Sequence, residues 1–144
     1  MEPLQRLLIE RECERVLLQS MWNTDFGQAA RTADLFVSDG VLVVGPRVLR
    51  GREAIREAFL VRQAMVERVS RHVATNLLIT VEDEDHAVGS CYVTVYRHDG
   101  EPGMGIAPLA GPKSVGQQDA SFVRTAEGWR FAEMRAAHIF LQEG

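Results

Sequence analysis

Apolar positions recur along the chain first at helical and then at strand spacing. Ile9, Cys13, Val16, Leu17, Ser20, Met21 and Thr24 fall at three- and four-residue steps, which predicts a helix from Pro3 to about Asn23 with one inward stripe. Proline suits the first turn, where its missing N–H has no intrahelical partner to lose. Asp25-Phe26-Gly27 breaks this helix, and a shorter one is predicted from Gln28 to about Phe36. Ser38-Asp39-Gly40 reads as a turn before the β-branched strand Val41 to Val44, and Gly45-Pro46 leads into a short partner strand, Val48 to Leu49. A third helix opens at Gly51 and runs to about Val66. Strands are then predicted over 73–82, 87–98, 118–125 and 129–139, the last two joined by an Ala126-Glu127-Gly128 hairpin.

Helices followed by mostly adjacent antiparallel strands indicate an α+β architecture, not a doubly wound parallel sheet. The expected form is about three N-terminal helices on one strongly curved, largely antiparallel mixed sheet, with residues 1–144 as a single domain. The stretch from Asp99 to Gly116 is rich in Gly and Pro and is predicted to be irregular. Irregular stretches of that length are often functional, and Met104, Ile106 and Leu109 could close a pocket as a lid.

Four stretches together resemble one family. They are Asp25-Phe26-Gly27 with Leu35-Phe36 and Asp39-Gly40; Leu49-Arg50-Gly51-Arg52-Glu53-Ala54-Ile55; Arg71-His72-Val73-Ala74-Thr75-Asn76; and Val123-Arg124-Thr125 with Gly128-Trp129-Arg130-Phe131. In this order they resemble the SnoaL-like proteins, which share a fold with nuclear transport factor two, ketosteroid isomerase and scytalone dehydratase. The resemblance implies a conical fold with a pocket between helices and sheet. In its scytalone dehydratase and dehydrochlorinase branches an Asp after the first helix and a His on the third strand line that pocket, positions that match Asp25 and His72 here. Where many relatives carry Tyr and Asp before the Phe-Val-Arg stretch, this chain has Gln118 and Ala120. The fold hosts isomerases, dehydratases, cyclases and non-catalytic binders, so it does not fix the function.

The chemistry expected of the pair is general-base catalysis. An unperturbed imidazole, with a pKa of ~6.5, accepts a proton at neutral pH. A carboxylate on its other nitrogen fixes the tautomer and stabilises the cation that forms. Such a pair can remove a proton beside a carbonyl or a leaving group without a cofactor. The plainer alternative is that Asp25 caps the second helix and His72 is structural. Trp22, Phe26, Phe36, Phe59 and Tyr92 are candidate pocket lining, against the common role of aromatics as core. Tyr92 alternates with Val88, Ser90, Thr94 and Tyr96, a hydroxyl-bearing face that suits a lined cavity. Asn76 shares the His72 face if the strand is regular, and Arg135 could bind an anionic group.

Composition narrows the partners. Charged residues make up 25% of the chain with a net charge of −4, and the arginines are scattered, so nucleic acid is not expected. No apolar run reaches the ~20 residues of a spanning helix, and Met1-Glu2-Pro3 does not begin a signal peptide. Cys13 and Cys91 read as reduced core residues of a cytoplasmic protein. No metal is expected, because His86, His98 and His138 lack ligand spacing and Glu82 to Asp85 lacks the pattern of a calcium loop. Gly103 to Pro108 fails the dinucleotide fingerprint. Strand 87–98 is apolar on both faces, which predicts a homodimer through the outer sheet face. Two functional classes remain: a cofactor-free lyase, isomerase or cyclase acting on an apolar small molecule, or a non-catalytic binding module or assembly subunit.

Overall fold

The computed structural model describes residues 1–101 and 103–143; Pro102, within the predicted irregular stretch, and Gly144 lie outside the described residues. Helix α1 spans Pro3–Asp25, a 3-10 helix spans Ala29–Leu35, and helix α2 spans Arg52–Gln63. The strands are β1 (Phe36–Val44), β2 (Arg47–Arg50), β3 (Val69–Val81), β4 (His86–His98), β5 (Ser114–Thr125) and β6 (Gly128–Leu141). They form one six-stranded sheet in the order β2-β1-β6-β5-β4-β3. All neighbours are antiparallel except β1 and β6. The sheet is therefore mixed, and the predicted α+β class holds.

The α1 stripe packs as its spacing requires: Ile9, Cys13, Val16, Leu17, Ser20 and Met21 are all buried. They meet Ile79 and Val81 of β3, Ala87, Cys91 and Val93 of β4, Phe122 of β5 and Phe131 of β6. Phe36, Phe122 and Phe131 form the centre of this core, with ring centroids 5.0 and 5.3 Å apart. Arg52 ties the start of α2 to β1 by donating two hydrogen bonds to the Phe36 carbonyl, at 3.0 and 2.6 Å. Gly51, just before the helix, has φ +91°, a left-handed value that favours glycine.

The helix predicted to about Val66 ends at Gln63, the strand predicted from 73 begins at Val69, and three further local expectations differ from the structure. Ser38-Asp39-Gly40 is not a turn but part of β1, whose register with β6 shifts between Phe36 and Val41; a bulge, not a chain reversal, absorbs the polar residues. The irregular stretch ends earlier than Gly116, because β5 already begins at Ser114. β3 is interrupted at Asn76, which adopts φ +53°. There Asn76 and Leu77 together oppose the single residue Cys91, between the pairs Thr75↔Tyr92 and Leu78↔Ser90. Before this bulge His72 and Ala74 face inward; after it Leu77, Ile79 and Val81 do. No helix among the described residues is long and apolar enough to cross a membrane.

Candidate functional site

The end of α1 places Asp25. Phe26 donates its backbone N–H to the Trp22 carbonyl at 3.0 Å and Gln28 donates to the Asn23 carbonyl at 2.8 Å, with Gly27 between them at φ +77°. This Schellman closure stops the helix just past Asp25. The residue before the 3-10 helix is Gln28, and its side chain makes no cap, so Asp25 does not serve as that helix's cap. Its carboxylate instead crosses to β3.

There it meets His72 twice. The Asp25 Oδ1 and His72 Nδ1 are 2.6 Å apart, and Oδ2 accepts the His72 backbone N–H at 2.8 Å. The Ser70 hydroxyl donates to Oδ1 at 2.8 Å, and Arg62 donates from Nη2 to the Ser70 oxygen at 2.9 Å. The Asp25 side chain is 6% exposed and that of His72 21%. Burial pushes the Asp25 carboxyl up. The ring and backbone N–H groups of His72 and the Ser70 hydroxyl outweigh it, and the carboxyl stays below its ordinary value. An ionised carboxylate only accepts, so Nδ1 of the neutral ring must donate, and Nε2 carries the free lone pair. Among the described residues no hydrogen bond engages Nε2.

His72 opens into a cavity of ≈190 Å³ on the concave face of the sheet. Val44, Val93, Val95 and Ala136 give it apolar walls, and Gln118 and His138 add polar groups. The face is set by pairing: His72 lies opposite Val95 across β3 and β4, and Gln118 lies opposite Cys91 and Ala136. Small neighbours on this face leave the space. The Gln118 Oε1 is buried and has no hydrogen-bond partner among the described residues, a state that buried polar atoms rarely keep.

The other predicted residues are placed as follows. Phe36 is fully buried in the central core and Phe59 packs partly buried against that core; neither borders the His72 cavity. Trp22 and Phe26 are 61% and 51% exposed, stacked with centroids 4.8 Å apart, and the Arg71 guanidinium lies 4.7 Å over the Phe26 ring. They form an outer ledge beside the dyad. Tyr92 pairs with Thr75 on the convex face and is 48% exposed, away from the cavity. The hydroxyl-rich face of β4 is the outer one, and the cavity side carries Ala87, Gly89, Cys91, Val93 and Val95. Asn76, in the bulge, is exposed and does not share the His72 face. Arg135 is exposed and pairs with Glu133 at 3.0 Å. Ala107, Pro108 and Leu109 border a separate cleft with Arg71, Tyr96 and His98 instead of covering the cavity.

Four site residues escaped the sequence reading. Ser70 precedes His72 by two positions and so shares its face, a signal that strand alternation carries. Gln118 was visible as a departure from the family pattern. Nothing in the sequence marked Arg62, and His138 stands out there only as a histidine without metal-ligand spacing. No group of three or more His, Cys, Asp or Glu among the described residues could hold a metal ion.

Known structures share this fold. An NTF2-like protein with a cystatin-like fold from Novosphingobium aromaticivorans is 25% identical, with 94% of this chain and 85% of that one covered and a TM-score of 0.78. A candidate scytalone dehydratase from the same organism is 19% identical over 99% of this chain and 92% of its own, with a TM-score of 0.84. A protein from Catenulispora acidiphila, in complex with S-DNPA, is 22% identical over 92% of this chain and 94% of its own, with a TM-score of 0.74. No curated protein matches the chain in sequence. The model of the SnoaL-like domain matches residues 5–135, a span that holds Asp25, His72 and the cavity residues up to Gln118, and the chain belongs to that family.

Proposed function

We propose that this protein is a cofactor-free lyase, isomerase or cyclase that removes a proton from a compact, largely apolar small molecule, with His72 as general base and Asp25 as its partner. The observation that carries this reading is the 2.6 Å contact on Nδ1 of a histidine that lines a cavity and whose Nε2 has no hydrogen-bond partner among the described residues. A base must reach the proton it abstracts and must keep its lone pair unshared until then. The valine and alanine walls favour an apolar body, and a cavity of ≈190 Å³ suits about one ring, since a cavity of roughly 150 Å³ holds benzene. The candidate scytalone dehydratase among the similar structures is in keeping with a lyase.

The test needs no prior substrate. A panel of cyclic ketones and hydroxyketones is incubated with the protein in D2O, and deuterium entering beside the carbonyl is followed by NMR. Wild type should speed exchange of at least one member, and His72→Gln should abolish it. A panel member exchanged equally well by both proteins would remove His72 as the base.

The same reading makes the chain a homodimer of single SnoaL-like domains in the cytoplasm. Val73, Leu78, Val88 and Tyr92 form an exposed apolar strip on the convex face that a second copy could cover. Two buried free thiols, Cys13 and Cys91, suit a reducing compartment. Light scattering that finds only monomer at high concentration would reject the dimer.

A further inference from the structure

We infer that Ser70 and Arg62 are positioning residues of this site: Arg62 orients the Ser70 hydroxyl so that its proton goes to Asp25, and this fixes the carboxylate that holds His72. The inference rests on the general-base reading and adds two residues to it. The direction of the chain follows from the chemistry of its ends. A guanidinium only donates, so the Ser70 oxygen must accept from Arg62 Nη2 at 2.9 Å. The one hydroxyl proton left points to Asp25 Oδ1 at 2.8 Å, and the ionised carboxylate can only accept it. His72 Nδ1 approaches the same Oδ1 at 2.6 Å. The order is therefore Arg62 to Ser70 to Asp25, with His72 donating from the other side.

Three different elements hold this chain. Arg62 sits in the last turn of α2, where a cation is favoured by the helix dipole. Ser70 is 2% exposed on β3, so its hydroxyl has no water to turn toward. Asp25 ends α1. The charges near Arg62 are Asp25 itself, Asp99, Arg68 and Arg97; Arg68 and Arg97 both pair with Asp99, and the one side-chain hydrogen bond of Arg62 among the described residues goes to Ser70. Without Arg62 the buried Ser70 oxygen loses the donor that orients it and Asp25 loses a nearby positive charge, and both losses weaken the ionised, fixed carboxylate.

The experiment uses the full chain and needs no substrate. The Asp25 side-chain carbon is followed by 13C NMR across acid pH in wild type, Ser70→Ala, Ser70→Thr, Arg62→Met and Arg62→Lys. The Asp25 midpoint should move to higher pH in Ser70→Ala and Arg62→Met and stay near wild type in Ser70→Thr and Arg62→Lys. Should Arg62→Met not fold, Ser70→Ala, which loses one oxygen atom, carries the test. An unchanged midpoint in folded Ser70→Ala overturns the inference, and so does an imidazole 15N spectrum that puts the neutral-ring proton of His72 on Nε2. Where a panel ketone is exchanged, Ser70→Ala should lower kcat by about 10-fold with KM within about 2-fold, the mark of lost orientation and not of lost binding. Failure of His72→Gln to stop exchange would sink the base reading and leave the titration result standing.

Discussion

Asp25 and His72 are 47 residues apart in sequence, yet one carboxylate takes both the ring and the backbone N–H of the histidine, at 2.6 and 2.8 Å. The second bond fixes the strand as well as the ring. Asp25→Asn therefore removes more than a charge. An amide cannot accept at both positions, so one donor is left unpaired in a nearly buried site. We expect Asp25→Asn to cost ~1–3 kcal/mol of stability in urea unfolding and ~100-fold or more of any exchange activity. His72→Gln should cost similar activity but less stability, because its backbone N–H keeps its partner. Equal stability losses in the two variants would argue against the double anchor.

Acid should reveal the same carboxylate. Asp25 titrates lower in the folded chain than in the unfolded one, so it adds stability at pH values above the ordinary carboxylate range. That contribution is lost as pH falls below about 4 and through the folded value. Unfolding free energies of wild type and Asp25→Asn, measured from pH 6 to pH 2.5, should converge toward the acid end. A constant gap would show that the charge of Asp25 does not contribute.

The two thiols should be inert in the native state. Burial, with a smaller push from Glu12, raises Cys13 to about 12, and burial, with Asp119 adding, raises Cys91 to about 11. The thiolate is the reactive form. A thiol reagent at pH 8 should modify neither cysteine until the chain unfolds, and both in denaturant. Rapid labelling of the native protein would contradict the packing of α1 on β4.

Gly89 should tolerate no side chain. A Cβ there would sit 2.6 Å from Ile79 Cδ1 and 3.1 Å from Phe122 Cε2. Both belong to the packed core, so Gly89→Val should cost roughly 1–3 kcal/mol and shift the urea midpoint downward with little change in slope. Gly116→Ala would press instead on the Ala137 backbone carbonyl at 2.8 Å, which cannot rotate aside, and it lies on the cavity floor.

Much of this was legible in the chain because periodicity survives folding. The α1 stripe is the buried set nearly residue for residue, since nothing interrupts α1 before Gly27. Asp25 and His72 were legible through motif resemblance, because the distance between them is created only by tertiary packing. The misplacements have two causes. The hydroxyls that alternate with Tyr92 suggest a lined cavity, but the space comes from small residues opposite Gln118, and the hydroxyl face of β4 simply meets solvent. Asn76 was assigned by strict alternation, which a bulge resets. Ser38 to Gly40 has turn composition inside a strand for the same reason. Ser70 lies before the predicted strand start at 73, so the alternation that sets it on the face of His72 appears only with β3 beginning at Val69.

The bulge at Asn76 also makes β3 two half-strands of opposite phase. Its first half aims even-numbered side chains at the cavity, and its second half aims odd-numbered ones at the core. Deleting one residue between them would merge the halves into one phase. With Asn76 removed, Leu77 alone would oppose Cys91, and His72, Ala74, Leu77, Ile79 and Val81 would all stay inward by simple alternation. Loss of the extra residue is thus compatible with both halves, and substitutions at Asn76 need only accept a left-handed backbone, as Gly does. A library of deletions across 73–78 should therefore recover folded variants that lack Asn76 as well as folded Asn76→Gly, and loss of the fold on deleting Asn76 would show that the bulge itself is required.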